Sequence, residues 1–222
     1  MTANFKLPPL DDPDHVIEHV RQFEVIQRAF QHLEEPSITA LPYHNPSHTL
    51  DVMRESILFA RDVPLSTSDV SLLLIASAWH DVGFVKNRIG HEEASIELFR
   101  QYVRERHGAD LSKMEQQLVE SMIRDTKLHA RPMGAGAEQV PTTDLSRYLL
   151  DADLSNLGRD DFFDCLDRLV DEHQAPKKDF YVSALGLITR HIWHTDSARN
   201  LRMKKEMQNS IKLVRIIKEF ER

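Results

Sequence analysis

The stretch SLLLIASAWHD, Ser71 to Asp81, is apolar at nearly every position until it ends in an imidazole and a carboxylate. Leu, Ile, Ala and Trp with no polar face read as a helix buried on most sides, and a buried helix rarely ends in an uncompensated His and Asp. Two readings are open. His80 and Asp81 form a hydrogen-bonded pair that closes a core helix, or they hold a divalent metal, for which neutral imidazole and carboxylate are both ligands. Ser66, with Asp69 three residues on, resembles a capping box that opens this helix, and Gly83 supplies its stop.

Working outward, Pro46 biases Asn45 away from helical dihedrals, so Asn45 reads as an N-cap and Pro46 as the first helical residue of a helix to about Arg61. His48 then lies in its first turn and His44 on the loop before it. Asp12 with Pro13 opens an earlier helix to about Glu35, which Pro36 ends; Val16, Val20, Phe23, Phe30 and Leu33 share one of its faces. His15 and His19 on it read as surface histidines. After the His-Asp pair, His91 begins a helix with Glu92 and Glu93 in its first turn and Gly108 beyond its end. Ser112 with Glu115 makes a second capping box, for a helix expected to reach His129 before Pro132 closes it.

Arg131 to Pro141 holds two Gly and two Pro and reads as a long loop, by default a surface excursion. Helical pattern resumes near Asp144 and leads into LLDADLSNLG, Leu149 to Gly158. Further helices are expected over about Asp160–His173, Lys178–His194 and Ala198–Phe220. No alternating strand pattern and no internal repeat occur. The expected fold is all-α, one compact domain over residues 1–222 with eight or nine helices, core motifs in 43–158 and C-terminal helices 178–220 packed on it.

The 222 residues carry a formal net charge of −7, which weighs against sequence-independent nucleic-acid binding, since that rests on a basic surface. Small phosphorylated ligands need only a few local cations. A single cysteine, Cys165, excludes an internal disulfide and suits a reducing compartment. With no apolar N-terminal segment and no apolar run of membrane-spanning length, a cytoplasmic protein is expected, with no membrane partner and a homo-oligomer possible.

The ligand-type residues fall in one setting. His48 starts a helix, His80 and Asp81 end a second, and Asp151 or Asp153 ends a later apolar one. Each sits beside a run that should be buried, so each can project into one cavity, and two His with two Asp make a ligand set for a divalent metal.

With those residues in view, the chain resembles the HD superfamily of metal-dependent phosphohydrolases. The segments that carry the resemblance are YHNPSH (Tyr43 to His48), AWHDVG (Ala78 to Gly83) and DADLSNLG (Asp151 to Gly158). The first and last are similar to segments of cyclic-nucleotide phosphodiesterases. The pattern as a whole, with HEEAS after the pair and IWHT near the C-terminus, looks closer to an uncharacterised bacterial branch of predicted HD phosphohydrolases. The resemblance implies His48, His80, Asp81 and Asp153 as ligands of a first metal and His44 as the general acid, with Asp151 in reserve. Two-metal members place further histidines between the pair and the last Asp, which implies His91 and His129 as ligands of a second metal, with Asp81 bridging. Where phosphodiesterases place another His soon after the pair, this chain has Val85, Lys86 and Asn87.

The implied reaction is hydrolysis of a phosphoester, of a nucleotide or another small phosphorylated metabolite, by metal-activated water, with Mn, Fe, Co, Ni, Zn or Mg as the divalent ion. Of the cations flanking the motifs, Lys86, Arg88, Lys127 and Arg131, the expected phosphate-binding residues are Lys86 and Lys127. His191 and His194 are expected in the core or behind the ligands. The alternatives are an HD-fold mixed-valent di-iron oxygenase, which the same four histidines and two aspartates would suit, and a catalytically silent nucleotide-binding module.

Overall fold

The computed structural model describes residues 5–107, 111–130 and 137–220 and is all-α. Its helices are α1 (Pro13–Val20), α2 (Glu24–Leu33), α3 (Pro36–Thr39), α4 (Pro46–Ala60), α5 (Thr67–Trp79), α6 (His91–Glu105), α7 (Lys113–Asp125), α8 (Ser146–Asp153), α9 (Phe162–His173), α10 (Lys177–Ile188) and α11 (Asp196–Glu219). Short 3-10 turns follow α5 (Val82–Val85) and α8 (Ser155–Gly158). Two short antiparallel strands, β1 (His129–Ala130) and β2 (Ala137–Glu138), are the only sheet among the described residues. No helix among them is long and apolar enough to cross a membrane.

Helix α5 is the axis of the core. Every residue from Val70 to Trp79 is buried, and α2, α4, α6, α7 and α8 pack around it. Its polar atoms are satisfied within the core: Ser77 Oγ lies 3.0 Å from Ser56 Oγ of α4, and Trp79 Nε1 donates to the Val25 carbonyl at 2.9 Å. The capping boxes form as the sequence requires, Ser66 with Asp69 and Ser112 with Glu115. Asn45 likewise caps α4, accepting from Ser47 N at 2.9 Å, while its amide donates to the Leu41 and Pro42 carbonyls and fixes the loop before it. A second apolar cluster, including Phe162, Leu166, Tyr181 and Leu213, joins α9, α10 and α11. Helix α11 also packs on α4 and α8.

Four boundaries depart from expectation, one of them the end of α7 at Asp125 instead of His129, and each has a local cause. The helix from Pro13 breaks after Val20, because Phe23 turns to extended dihedrals (φ −83°, ψ 135°) and stacks on Phe5 at 4.1 Å between centroids. Pro36 begins α3 rather than only ending α2, its fixed φ suiting the first helical position. These two changes turn the expected count into eleven α-helices among the described residues. Helix α10 ends at Ile188, six residues before His194, and the chain runs non-helically through Trp193, which is buried with its Nε1 donating to Glu206 at 2.8 Å.

Candidate metal centre

Four helix ends meet at one point. His48 is the third residue of α4, His80 closes α5 with Asp81 directly after it, and Asp153 is the last residue of α8. His91 opens α6 beside them. The C-terminal ends of α5 and α8 carry partial negative charge, which favours a cation where they converge.

His48, His80 and Asp153 bring ligand atoms together in a group that could hold a metal ion. His48 Nε2 lies 3.4 Å from His80 Nε2, 3.4 Å from Asp81 Oδ2 and 3.3 Å from Asp153 Oδ1. His80 Nε2 lies 3.2 Å from Asp81 Oδ2 and 3.6 Å from Asp153 Oδ1. His48, His80 and Asp153 are the compact group, and Asp81 Oδ2 flanks it within 3.4 Å of both histidine Nε2 atoms.

The protonation pattern supports the same fit. His80 Nδ1 lies 2.7 Å from the Ser77 carbonyl, which can only accept, so Nδ1 carries a proton and Nε2 is the inward atom, free to offer a lone pair once its own proton leaves. Asp81 Oδ2 is buried with no hydrogen-bond partner among the described residues, an orphaned acceptor aimed at the same point. Burial opposes charge on His80, yet Asp81 and Asp153 outweigh it and hold its pKa well above the usual range. Burial would likewise raise Asp81 and Asp153, but their histidine neighbours hold both below the usual carboxylate range. The group therefore favours positive charge at its middle. Histidine and carboxylate donors at this spacing fit a metal ion.

Supporting residues fix the ligands in place. Ser95 Oγ donates to the His80 carbonyl and accepts from Gly83 N, both at 2.7 Å, and so staples the turn through Asp81 to α6. Gly83 permits this approach, since a Cβ there would stand 1.9 Å from the His91 carbonyl oxygen. Gln139 donates to Asp153 Oδ2 at 2.7 Å and to the Thr126 carbonyl at 2.6 Å, which leaves Asp153 Oδ1 facing the histidines.

The second face is built on Asp81 Oδ1, 3.4 Å from His91 Nε2. His91 Nδ1 lies 3.2 Å from the Arg88 carbonyl, so its Nε2 is again the inward atom. Asp81 raises the His91 pKa against the opposing effect of burial. Glu92 Oε1 is 3.8 Å from the same Nε2, while Glu92 Oε2 is buried without a hydrogen-bond partner among the described residues.

His44 stands beside the group on the loop before α4, with its ring centroid 5.5 Å from that of His48. Its Nδ1 is 2.5 Å from Glu172 Oε1, and Glu172 Oε2 accepts from the backbone N–H groups of Tyr43 and His44 at 2.8 and 3.0 Å. Burial would raise Glu172, but the hydrogen bond and charge of His44 bring it down to about 2. The Arg88 guanidinium donates to the Glu172 carbonyl at 2.6 Å. Phe84 is stacked between His44 and His91, at 4.6 and 4.1 Å between centroids.

Of the residues singled out in the sequence, His44, His48, His80, Asp81, His91 and Asp153 are thus brought together. His129 is not. Helix α7 ends at Asp125, whose carboxylate turns inward to accept from Thr142 N and Oγ1, and the chain continues into β1, where His129 is exposed and pairs with Glu138. The Lys86 and Lys127 side chains are exposed and make no hydrogen bond or ion pair among the described residues, so neither is placed on the group. Arg131 lies outside the described residues. Asp151 is structural: fully buried, it accepts from His194 N, Thr195 N and Thr195 Oγ1 and anchors the start of α11. His191 is in the core, its Nδ1 2.7 Å from Glu206 Oε1, and His194 is half-buried behind Asp151. Sequence reasoning missed Glu172, Ser95 and Gln139, because no local pattern ties a residue to a partner 128 positions away. Only HEEAS, which ends in Ser95, carried a hint.

Comparison with protein-family models, curated proteins and solved structures gives no match to the chain.

Proposed function

We propose that the chain is a metal-dependent phosphohydrolase of the HD superfamily that its three motifs resemble, acting on a nucleotide or another small phosphorylated metabolite. The observation that carries this reading is the convergence of His48, His80, Asp81 and Asp153 beside a histidine whose Nδ1 is held by a carboxylate. The same two-histidine, two-aspartate set is the first-metal set that the motifs imply. The cation is a divalent one, and the buried single Cys165 fits a cytoplasmic enzyme.

Bound there, a divalent ion supplies Lewis-acid polarisation of a phosphoryl oxygen and a hydroxide nucleophile near neutral pH. The chain's own residues do the rest. Glu172 accepts from His44 Nδ1 and so leaves Nε2 as the atom that gives a proton to the departing oxygen. The Glu172 carboxylate is ionised at neutral pH and stabilises the imidazolium that the proton transfer requires. Phe84 walls one side of His44 and restricts water there. Asp81 serves both faces, Oδ2 toward His48 and His80 and Oδ1 toward His91, which suits it to bridge two ions. A second ion would find Glu92 beside His91, where His129 was expected.

The test is metal content of the wild type and of His80→Ala, followed by a screen of both against phosphomonoesters, dinucleoside polyphosphates and cyclic nucleotides, with oxygen uptake recorded in parallel. Hydrolysis by the metal-loaded wild type and none by the variant is expected. A wild type that carries iron, consumes oxygen and hydrolyses none of these overturns the proposal.

A further inference from the structure

Among the described residues, helix α11 buries one side only, through Ala198, Glu206, Asn209, Leu213 and Ile217. About a third of a turn round from that side, Met203, Met207 and Ile211 lie one above another at intervals of four residues, and they are 44, 58 and 54% exposed. Exposed apolar side chains scattered singly need no explanation, but a contiguous row of them marks an interaction surface.

The row is the middle of a longer seam. Asp196 and Asn200 continue it toward the N-terminus of α11, and Val214 and Lys218 continue it toward the C-terminus, at steps of three and four residues, the spacing with which one helix packs along another. The seam carries an acid at one end and a base at the other. The Asp196 side chain is 87% exposed and pairs with Arg199 on its own helix, and Lys218 is exposed with no ion pair among the described residues.

These positions complement themselves. When a second copy of α11 is turned end over end about a two-fold axis at Met207, Met207 meets Met207, Met203 meets Ile211, Asn200 meets Val214 and Asp196 meets Lys218, the last three pairs each formed twice. A parallel copy would set acid on acid and base on base, and a uniformly anionic surface would meet Asp196 as well as Lys218. From this complementarity we infer that two copies of the chain pair through the outer face of α11, antiparallel, with Met207 on the two-fold axis. The apolar middle supplies affinity, and the two Asp196–Lys218 pairs fix direction and register. The seam runs for roughly 33 Å and holds no residue of the metal centre, so the pairing is independent of the hydrolase reading.

The test is the mass of the full-length chain by sedimentation equilibrium over a range of concentrations, where a monomer–dimer equilibrium is expected. Met207→Glu sets two carboxylates against each other on the axis and should raise the dissociation constant about a hundredfold or more. Asp196→Lys and Lys218→Glu should each raise it about threefold to tenfold at low salt. The chain carrying both changes should return close to the wild-type value, because the end pairs are rebuilt with their charges exchanged. Met207→Cys should cross-link to a covalent dimer on mild oxidation, whereas Met203→Cys should do so only when mixed with Ile211→Cys. Every substituted side chain is exposed, and a thermal melt of each variant verifies its fold. A wild type that stays monomeric throughout, a dimer indifferent to Met207→Glu, or a double charge variant as weak as the single ones overturns the inference. Binding of a monomeric wild type to phosphatidylserine vesicles, lost in Met207→Glu, gives the row to a membrane surface instead and likewise overturns it.

Discussion

Removing divalent cations from this protein should lower its melting temperature by a readable amount, and the structure says which side chains carry the effect. Four candidate ligand atoms, His48 Nε2, His80 Nε2, Asp81 Oδ2 and Asp153 Oδ1, lie 3.2–3.6 Å apart across five of their pairs, on side chains that are buried or, for Asp153, mostly so. Such a site cannot exist in the unfolded chain, so binding of the ion adds to folding stability by mass action. With the ion at about a thousand times its dissociation constant the gain is about 4 kcal/mol. For a chain of this size each kcal/mol moves Tm by about 2–4 °C, so chelation should cost about 8–16 °C.

The assay is a calorimetric or fluorescence melt with chelator, and again after adding back Mn, Fe, Co, Ni, Zn or Mg. His80→Ala should abolish the difference. His129→Ala, exposed on β1, should leave it intact, and His91→Ala should keep most of it while lowering the number of ions bound. A wild type that melts at one temperature under all these conditions, with no metal retained on purification, would refute the reasoning. The four residues would then be a self-satisfied polar cluster of the core.

Glu172→Gln keeps the hydrogen-bond geometry but loses the carboxylate charge, so hydrolysis of esters with poor leaving groups should fall about 10- to 100-fold, a charge-assisted bond of about 1.5–3 kcal/mol, while p-nitrophenyl esters are spared. The folded pKa of Glu172 is depressed from 4.5 to about 2, so its contribution to stability is fully present above pH 4.5 and is lost as pH falls toward 2. Acid melts should therefore show the wild type losing about 3 kcal/mol more than Glu172→Gln across that window, and parallel curves would refute it. Ser95→Ala strips a partner from two buried backbone groups, so urea titration should find a loss of about 2 kcal/mol or more and metal titration a weaker affinity; unchanged values in both would show that the staple is dispensable. Gly83→Ala drives a Cβ into the backbone of α6 and should cost about 3 kcal/mol or more, read in the same titration, with full stability counting against the observed packing.

Sequence by itself determined the helices and much of the site, because both are written in local patterns. Capping boxes at Ser66 and Ser112, the Asn45–Pro46 start and the unbroken apolar run of α5 each act within a few residues, and each forms as read. His48, His80 and one of Asp151 or Asp153 were legible because each stands beside an apolar run, where burial forces a polar side chain to find a partner; the family resemblance favoured Asp153, and the structure groups Asp153 with the two histidines. Tertiary structure decided what periodicity cannot carry. Phe23 breaks the first helix to reach Phe5, and Asp125 ends α7 to reach Thr142, which sends His129 to the surface. Glu172 comes to His44 from the end of α9. Those contacts join residues far apart in the chain, and their energies depend on which faces the packed core brings together rather than on any spacing within a helix.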